Sequence, residues 1–192
     1  MLAENVIHGD VASANKWKIK ADPVDDSGAT IYKSFTSVIG NMKNGATVDL
    51  DITLSDVQVE VSGGDNAGLA CGTMDENTSL AVNLSSSSLD VSGKSNAGVF
   101  VGKMSADATL SIDKCDTLTS VNISANNAGG LVGSAENAEI NVGEGVTLTM
   151  TGSVTGSVTA GGLFGSYTYS KANEKTFDIS KFSGMELSLI HI

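Results

Sequence analysis

Asn127-Ala-Gly-Gly-Leu-Val-Gly133 and Thr159-Ala-Gly-Gly-Leu-Phe-Gly165 are two copies of one heptapeptide. Asn66-Ala-Gly-Leu-Ala-Cys-Gly72 and Asn96-Ala-Gly-Val-Phe-Val-Gly102 are two more, and Ser34-Phe-Thr-Ser-Val-Ile-Gly40 is a degenerate fifth. The closing glycines stand at 40, 72, 102, 133 and 165, a period of 30–32 residues. A near-constant period of this length marks a stack of repeated units, each too small to bury its apolar face alone.

Two further extended runs follow each heptapeptide. The first comprises Val48–Leu54, Leu80–Leu84, Leu110–Ile112, Ile140–Val142 and Phe177–Ile179. The second comprises Val57–Val61, Leu89–Val91, Leu118–Ile123 and Val146–Met150. Both alternate apolar with polar residues, the period-2 signature of half-buried strands. Three short strands per period, separated by clusters such as Ser62-Gly-Gly-Asp65 and Ser92-Gly-Lys-Ser95, describe one coil of a parallel solenoid. The expected fold is therefore all-β: a right-handed parallel β-solenoid (β-helix) of about five coils over residues 34–186, roughly 24 Å long at the inter-strand spacing. Residues 1–33 fit the repeat poorly. Trp17-Lys-Ile-Lys-Ala21 alternates like a strand, which suits an irregular N-terminal segment or partial coil.

Read as one strand, the heptapeptide turns positions two, four and six inward. Position five (Val38, Ala70, Phe100, Leu131, Leu163) then forms an outward apolar row; the opposite assignment stays open. The asparagines Asn66, Asn96 and Asn127 fall at one turn, where their amides stack as a ladder. A carbohydrate-binding row is the functional alternative for them.

Composition narrows the function. The 192 residues are 41% hydrophobic, enough for a continuous core, and carry a net charge of −11 with lysine as the only cationic side chain. No basic stripe exists to neutralise phosphates, which argues against nucleic acid and anionic membranes as partners. No apolar run approaches the roughly 18 residues of a membrane span. Cys71 takes the apolar sixth position of its heptapeptide, as a small hydrophobe does. A Cys71–Cys115 disulfide is a second possibility, although the two lie at different points of the repeat.

The chain ends contribute an expectation of their own. Met1-Leu-Ala-Glu-Asn5 lacks the features of a signal peptide. Leu187-Ser-Leu-Ile-His-Ile192 resembles the translation of a transposase mosaic-end adapter, CTG TCT CTT ATA CAC ATC. That implies a truncated metagenomic fragment with a non-native tail over 187–192. Such a fragment has open edges and associates through them.

The copies at 127–133 and 159–165 resemble the GLUG-type repeat, whose core reads Gly-Gly-Leu-Val/Ile-Gly. Copies 66–72 and 96–102 depart from it with Gly-Leu-Ala-Cys-Gly and Gly-Val-Phe-Val-Gly. GLUG-type repeats occur in large bacterial surface proteins, adhesins and the non-catalytic regions of some immunoglobulin-A-specific metallopeptidases. The resemblance implies an extracellular, cell-surface stalk or adhesive region whose partner is a host or cell-surface glycan or protein. It brings no catalytic, cofactor-binding or metal-binding residue.

A direct search for chemistry agrees. His8 is the only histidine outside the tail, so a zinc site or a Ser-His-Asp triad lacks its parts. Asp22, Asp25 and Asp26 are the densest acidic cluster and read as a solvated loop before a metal site. No cofactor is expected. Two rivals remain. A polysaccharide-active β-helix lyase or glycoside hydrolase would draw paired carboxylates from stacked coils. A surface-binding solenoid would need Thr-x-Thr ranks, approached only by Thr147, Thr149 and Thr151. The reading favoured here is a non-catalytic structural or adhesive segment.

Overall fold

The heptapeptide is not one strand but a corner. In the computed structural model, which describes residues 16–20, 35–53, 58–85, 88–169, 177–182 and 184–191, strand ends at Gly68, bends at Leu69–Ala70 and resumes at Cys71. The same break recurs at Val99–Phe100, Gly130–Leu131 and Gly162–Leu163. A bend takes the chain out of strict alternation, so consecutive residues around it can all be buried. Leu69, Ala70, Cys71, Val99, Phe100, Val101, Leu131 and Val132 are accordingly all buried. The expected outward row at position five is thus corrected: Ala70, Phe100 and Leu131 belong to the core.

In chain order the strands are β1 (Lys16–Lys20), β2 (Phe35–Thr36), β3 (Ile39–Met42), β4 (Thr47–Thr53), β5 (Gln58–Ser62) and β6 (Asn66–Gly68). There follow β7 (Cys71–Met74), β8 (Ser79–Ser85), β9 (Ser88–Ser92), β10 (Asn96–Gly98), β11 (Val101–Met104) and β12 (Thr109–Cys115). The last six are β13 (Leu118–Gly129), β14 (Val132–Glu136), β15 (Glu139–Val142), β16 (Thr149–Gly161), β17 (Phe164–Thr168) and β18 (Gly184–His191).

All the pairings are parallel. They build a nine-stranded sheet A (β1, β2, β5, β6, β9, β10, β13, β16, β18), a five-stranded sheet B (β3, β7, β11, β14, β17) and a four-stranded sheet C (β4, β8, β12, β15). The chain is a β-solenoid. Five heptapeptides delimit four full intervals, so it makes about four turns, against the five coils expected. The five rungs of sheet B span about 19 Å at the inter-strand spacing.

Register puts like on like. Cys71 aligns with Ile39 and Val101, and Val132 with Val101 and Phe164. Leu80 aligns with Val48 and Leu110, and Leu110 with Ile140. Each fully buried Leu or Val in these columns contributes about 1.5–3 kcal/mol. The ladder continues through the corners, where Leu69 N donates to Val99 O (2.8 Å) and Phe100 N to Leu131 O (3.0 Å). Between sheets B and C the chain turns through a left-handed residue at Gly45 (φ 78°), Asn77 (55°), Asp107 (56°) and Asn137 (43°). These residue types tolerate that conformation best.

The corner is narrow because it holds no side chains between its limbs. A Cβ at Gly68 would lie 2.7 Å from the carbonyl oxygens of Cys71 and Phe100 and from Val101 Cα. One at Gly102 would lie 2.6 Å from Ala67 N in the turn above, and one at Gly165 would lie 2.7 Å from Ala128 N. Position seven of one turn thus abuts position two of the turn before it, which is why the latter is Ala67, Ala97 and Ala128.

Two expected strands differ. Phe177–Ile179 is not a rung: a 3-10 turn spans Ile179–Phe182. Asp178 Oδ1 accepts from Ser180 N (3.1 Å) and Ser180 Oγ (2.6 Å), a local cap that favours a helical start over extension. Those bonds from Ser180 hold the Asp178 carboxyl below its usual range. Phe177 packs edge-on against Phe164 and Tyr167, with centroids 5.3 and 5.6 Å away, and closes the end of the core. Of Val146–Met150, only Thr149 and Met150 are strand. Trp17 lies in β1 as expected, and β1 stacks in register on β5.

Gly102→Ala should lower stability by about 3 kcal/mol or more, because backbone must move. Gly162→Ala, at a position with open space around it, should stay within about 0.5 kcal/mol. Urea unfolding midpoints of the two variants check the contrast.

Candidate functional site

Sheet A carries two polar features. The first is the asparagine column. Asn127 Nδ2 donates to Asn96 Oδ1 (3.0 Å), Asn96 Nδ2 to Asn66 Oδ1 (2.6 Å) and Asn66 Nδ2 to Thr73 Oγ1 (3.1 Å). Thr159 Oγ1 extends the chain by donating to Asn127 Oδ1 (2.9 Å). The exact register of β6, β10, β13 and β16 produces this alignment. Asn96 is only 9% exposed and spends its amide on its two neighbours, so the column serves the stack before it serves a ligand.

The second feature is a shallow groove of about 260 Å³. It is lined by Glu60, Asp90, Ser92, Asn122, Ser153 and Thr155, among others. Glu60, Asp90, Asn122 and Ser153 are one register column and Ser92 and Thr155 belong to the column two residues on. Asn122 Nδ2 donates to Asp90 Oδ1 (2.7 Å), and Ser153 Oγ to Asn122 Oδ1 (2.9 Å). The groove therefore presents carboxylate and hydroxyl oxygens at the spacing of the rungs, about 4.8 Å. It can hydrogen-bond an extended polar ligand. It contains no histidine, cysteine or cationic side chain among its lining residues. Sequence reasoning did not single out these residues; the outward positions of the second extended run were the signal available.

The cysteines do not meet. Cys71 lies in β7 of sheet B and Cys115 ends β12 of sheet C, and both are free thiols. Burial pushes the Cys71 thiol from 9.0 up to about 12, against the lowering effect of hydrogen bonding to the Thr73 backbone. Burial, then the charge of Asp116, pushes Cys115 up to about 12 as well. The low-pKa environment of a nucleophilic cysteine is the opposite of this.

Other expected features fall out similarly. His8, Asp22, Asp25 and Asp26 lie outside the described residues. Among the described residues no three His, Cys, Asp or Glu side chains converge as for a metal ion, and no helix is long and apolar enough to cross a membrane. Thr147 precedes its strand, and the Thr151 hydroxyl donates to Thr119 O (2.8 Å), so the threonines form no free rank. Comparison of the chain with known protein families, with curated proteins and with solved structures gives no match.

Asn96→Ala removes one member of the column and leaves Asn66 Oδ1 and Asn127 Nδ2 without their partner. The expected cost is about 1–3 kcal/mol, read from urea unfolding. For the thiols, a pKa near 12 leaves about one in ten thousand ionised at pH 8. A disulfide reagent should therefore label the native chain at least a hundredfold more slowly than the urea-unfolded chain. Because the folded values lie above 9.0, the unfolded chain releases these protons first. The thiols then cost stability from pH 9.0 up towards 12 and nothing below that window.

Proposed function

We propose that this chain is a non-catalytic structural or adhesive repeat segment of a larger bacterial cell-surface protein. It acts as a stiff stalk or as an interaction surface. The observation that carries the reading is the in-register stacking of the heptapeptides, position on position, through sheets A and B. Parallel ladders joined along one axis resist bending and extension, because separating two turns breaks backbone bonds in several sheets together. The resemblance of residues 127–133 and 159–165 to the GLUG-type repeat supports a surface location. The groove on sheet A supplies oxygen rows that suit a surface glycan or an extended protein segment. Its thiols and its asparagine column are engaged in packing and cross-rung bonding.

Antibodies raised against the chain should label intact cells of a bacterium that carries its gene, and brief protease treatment of those cells should remove the signal. Recovery of the antigen only after lysis would overturn the surface assignment. Incubation with a panel of acidic and neutral glycans separates the rival enzyme. New reducing ends or unsaturated products that disappear with Asp90→Asn would establish a polysaccharide-active protein instead.

A further inference from the structure

The first turn between sheets B and C differs chemically from its copies. Its four residues are Lys43, Asn44, Gly45 and Ala46, and Asn44-Gly45 is the chain's one Asn-Gly pair. Ala46 N donates to Lys43 O (2.9 Å), and Gly45 at the third position has φ 78°, the positive φ that a type II turn requires there. In the copies the second position holds Glu76, Ala106 and Glu136. Of these turns, only the first sets a side-chain amide directly before a glycine.

The backbone amide of Gly45 is also the one left out of the ladder. Asn77 N donates to Ala106 O (3.3 Å), Asp107 N to Asn137 O (3.3 Å) and Asn137 N to Thr168 O (2.8 Å), each reaching the following turn. Among the described residues, Gly45 N has no such acceptor. Asn44 and Gly45 are exposed, and nothing lies within 4 Å of the place where a Cβ on Gly45 would stand. The nitrogen therefore has no hydrogen bond to give up and no side-chain carbon to shield it. Bonding to the side-chain carbonyl carbon of the preceding asparagine closes a five-membered ring, which needs only local rotation.

We propose that Asn44 is a spontaneous modification site of the folded chain, converting to aspartate and isoaspartate through a succinimide. Gly45 N loses its proton to hydroxide and bonds to Asn44 Cγ; the Cγ–Nδ2 bond breaks and ammonia leaves. Water then opens the ring. Breaking the bond from the ring nitrogen to Cγ restores the main chain with an aspartate. Breaking the bond from that nitrogen to the Asn44 main-chain carbonyl carbon leaves the chain running through Cγ, as isoaspartate. Nothing is oxidised or reduced: one ammonia is exchanged for one water. Either product adds a carboxylate next in the chain to Lys43, whose Nζ lies 3.3 Å from Asp75 Oδ2. The isoaspartyl product also adds one carbon to the main chain. The flanks of the turn are fixed by the bonds from Asp75 N to Met42 O (2.9 Å) and from Ser79 N to Ala46 O (2.9 Å), so the extra atom is taken up inside the turn.

The test incubates the full chain at 37 °C and pH 8, folded and in guanidinium chloride. Peptide mass spectrometry follows each asparagine, with fragmentation to separate aspartate from isoaspartate. In the folded chain Asn44 should exchange ammonia for water at least tenfold faster than Asn77 and Asn137, which precede the buried Thr78 and Ala138. Its rate should lie within tenfold of the rate in guanidinium. It should also rise about tenfold per pH unit, as the deprotonated fraction of a weak acid does. A folded rate that misses either margin shows that the turn protects its amide, and a rate indifferent to pH removes that amide as the nucleophile; each result overturns the proposal.

Discussion

The fold depends on a contact between backbones. At each corner, sheets A and B meet without a side chain between them: Gly68 faces the Phe100–Val101 backbone, and Gly102 faces that of Asn66–Ala67. Stacked sheets ordinarily stand about 10 Å apart, separated by interleaved side chains. Here the separation shrinks to van der Waals contact where the glycines face backbone. Leu80, Leu110, Met74 and Met104 are fully buried in the core beside it. Remove the glycines and the two limbs cannot converge; the corner opens, and every rung above and below loses its register.

Register, once held, decides the rest. Aligning Asn66, Asn96 and Asn127 brings their amides within hydrogen-bonding reach, because stacked copies repeat at a spacing that an amide spans. Aligning Asn77, Asp107 and Asn137 repeats one left-handed turn. The polar groove follows from the same rule on the outward columns of sheet A. A stack of this kind makes rows, not clusters, since neighbours in space are copies of one position. Rows suit extended ligands and structural cohesion better than they suit the convergent, unlike groups that catalysis requires.

Much of this was legible in the chain. The glycine period gave the architecture, and period-2 alternation located most of sheets A and C. The corner was legible only in part. Alternation predicts faces only for a straight strand, and the glycine pairs Gly129-Gly130 and Gly161-Gly162 mark the bend in two copies while Leu69-Ala70 and Val99-Phe100 carry no such sign. Phe177–Ile179 misled for a different reason: its alternation is real, but Asp178 and Ser180 form a local cap that no periodicity reports. The groove was hidden because Asp90, Asn122 and Ser153 are about 31 residues apart and become one site only through the register.

The ladder bonds between turns join residues separated by one period, as in Asn96–Asn66, Asn122–Asp90 and Ser153–Asn122, which are 30, 32 and 31 residues apart. A whole period can therefore be duplicated or lost in the gene with each surviving turn still meeting an equivalent neighbour. The length of the rod is in this sense a heritable variable, adjustable in single turns of about 4.8 Å without redesign of the core.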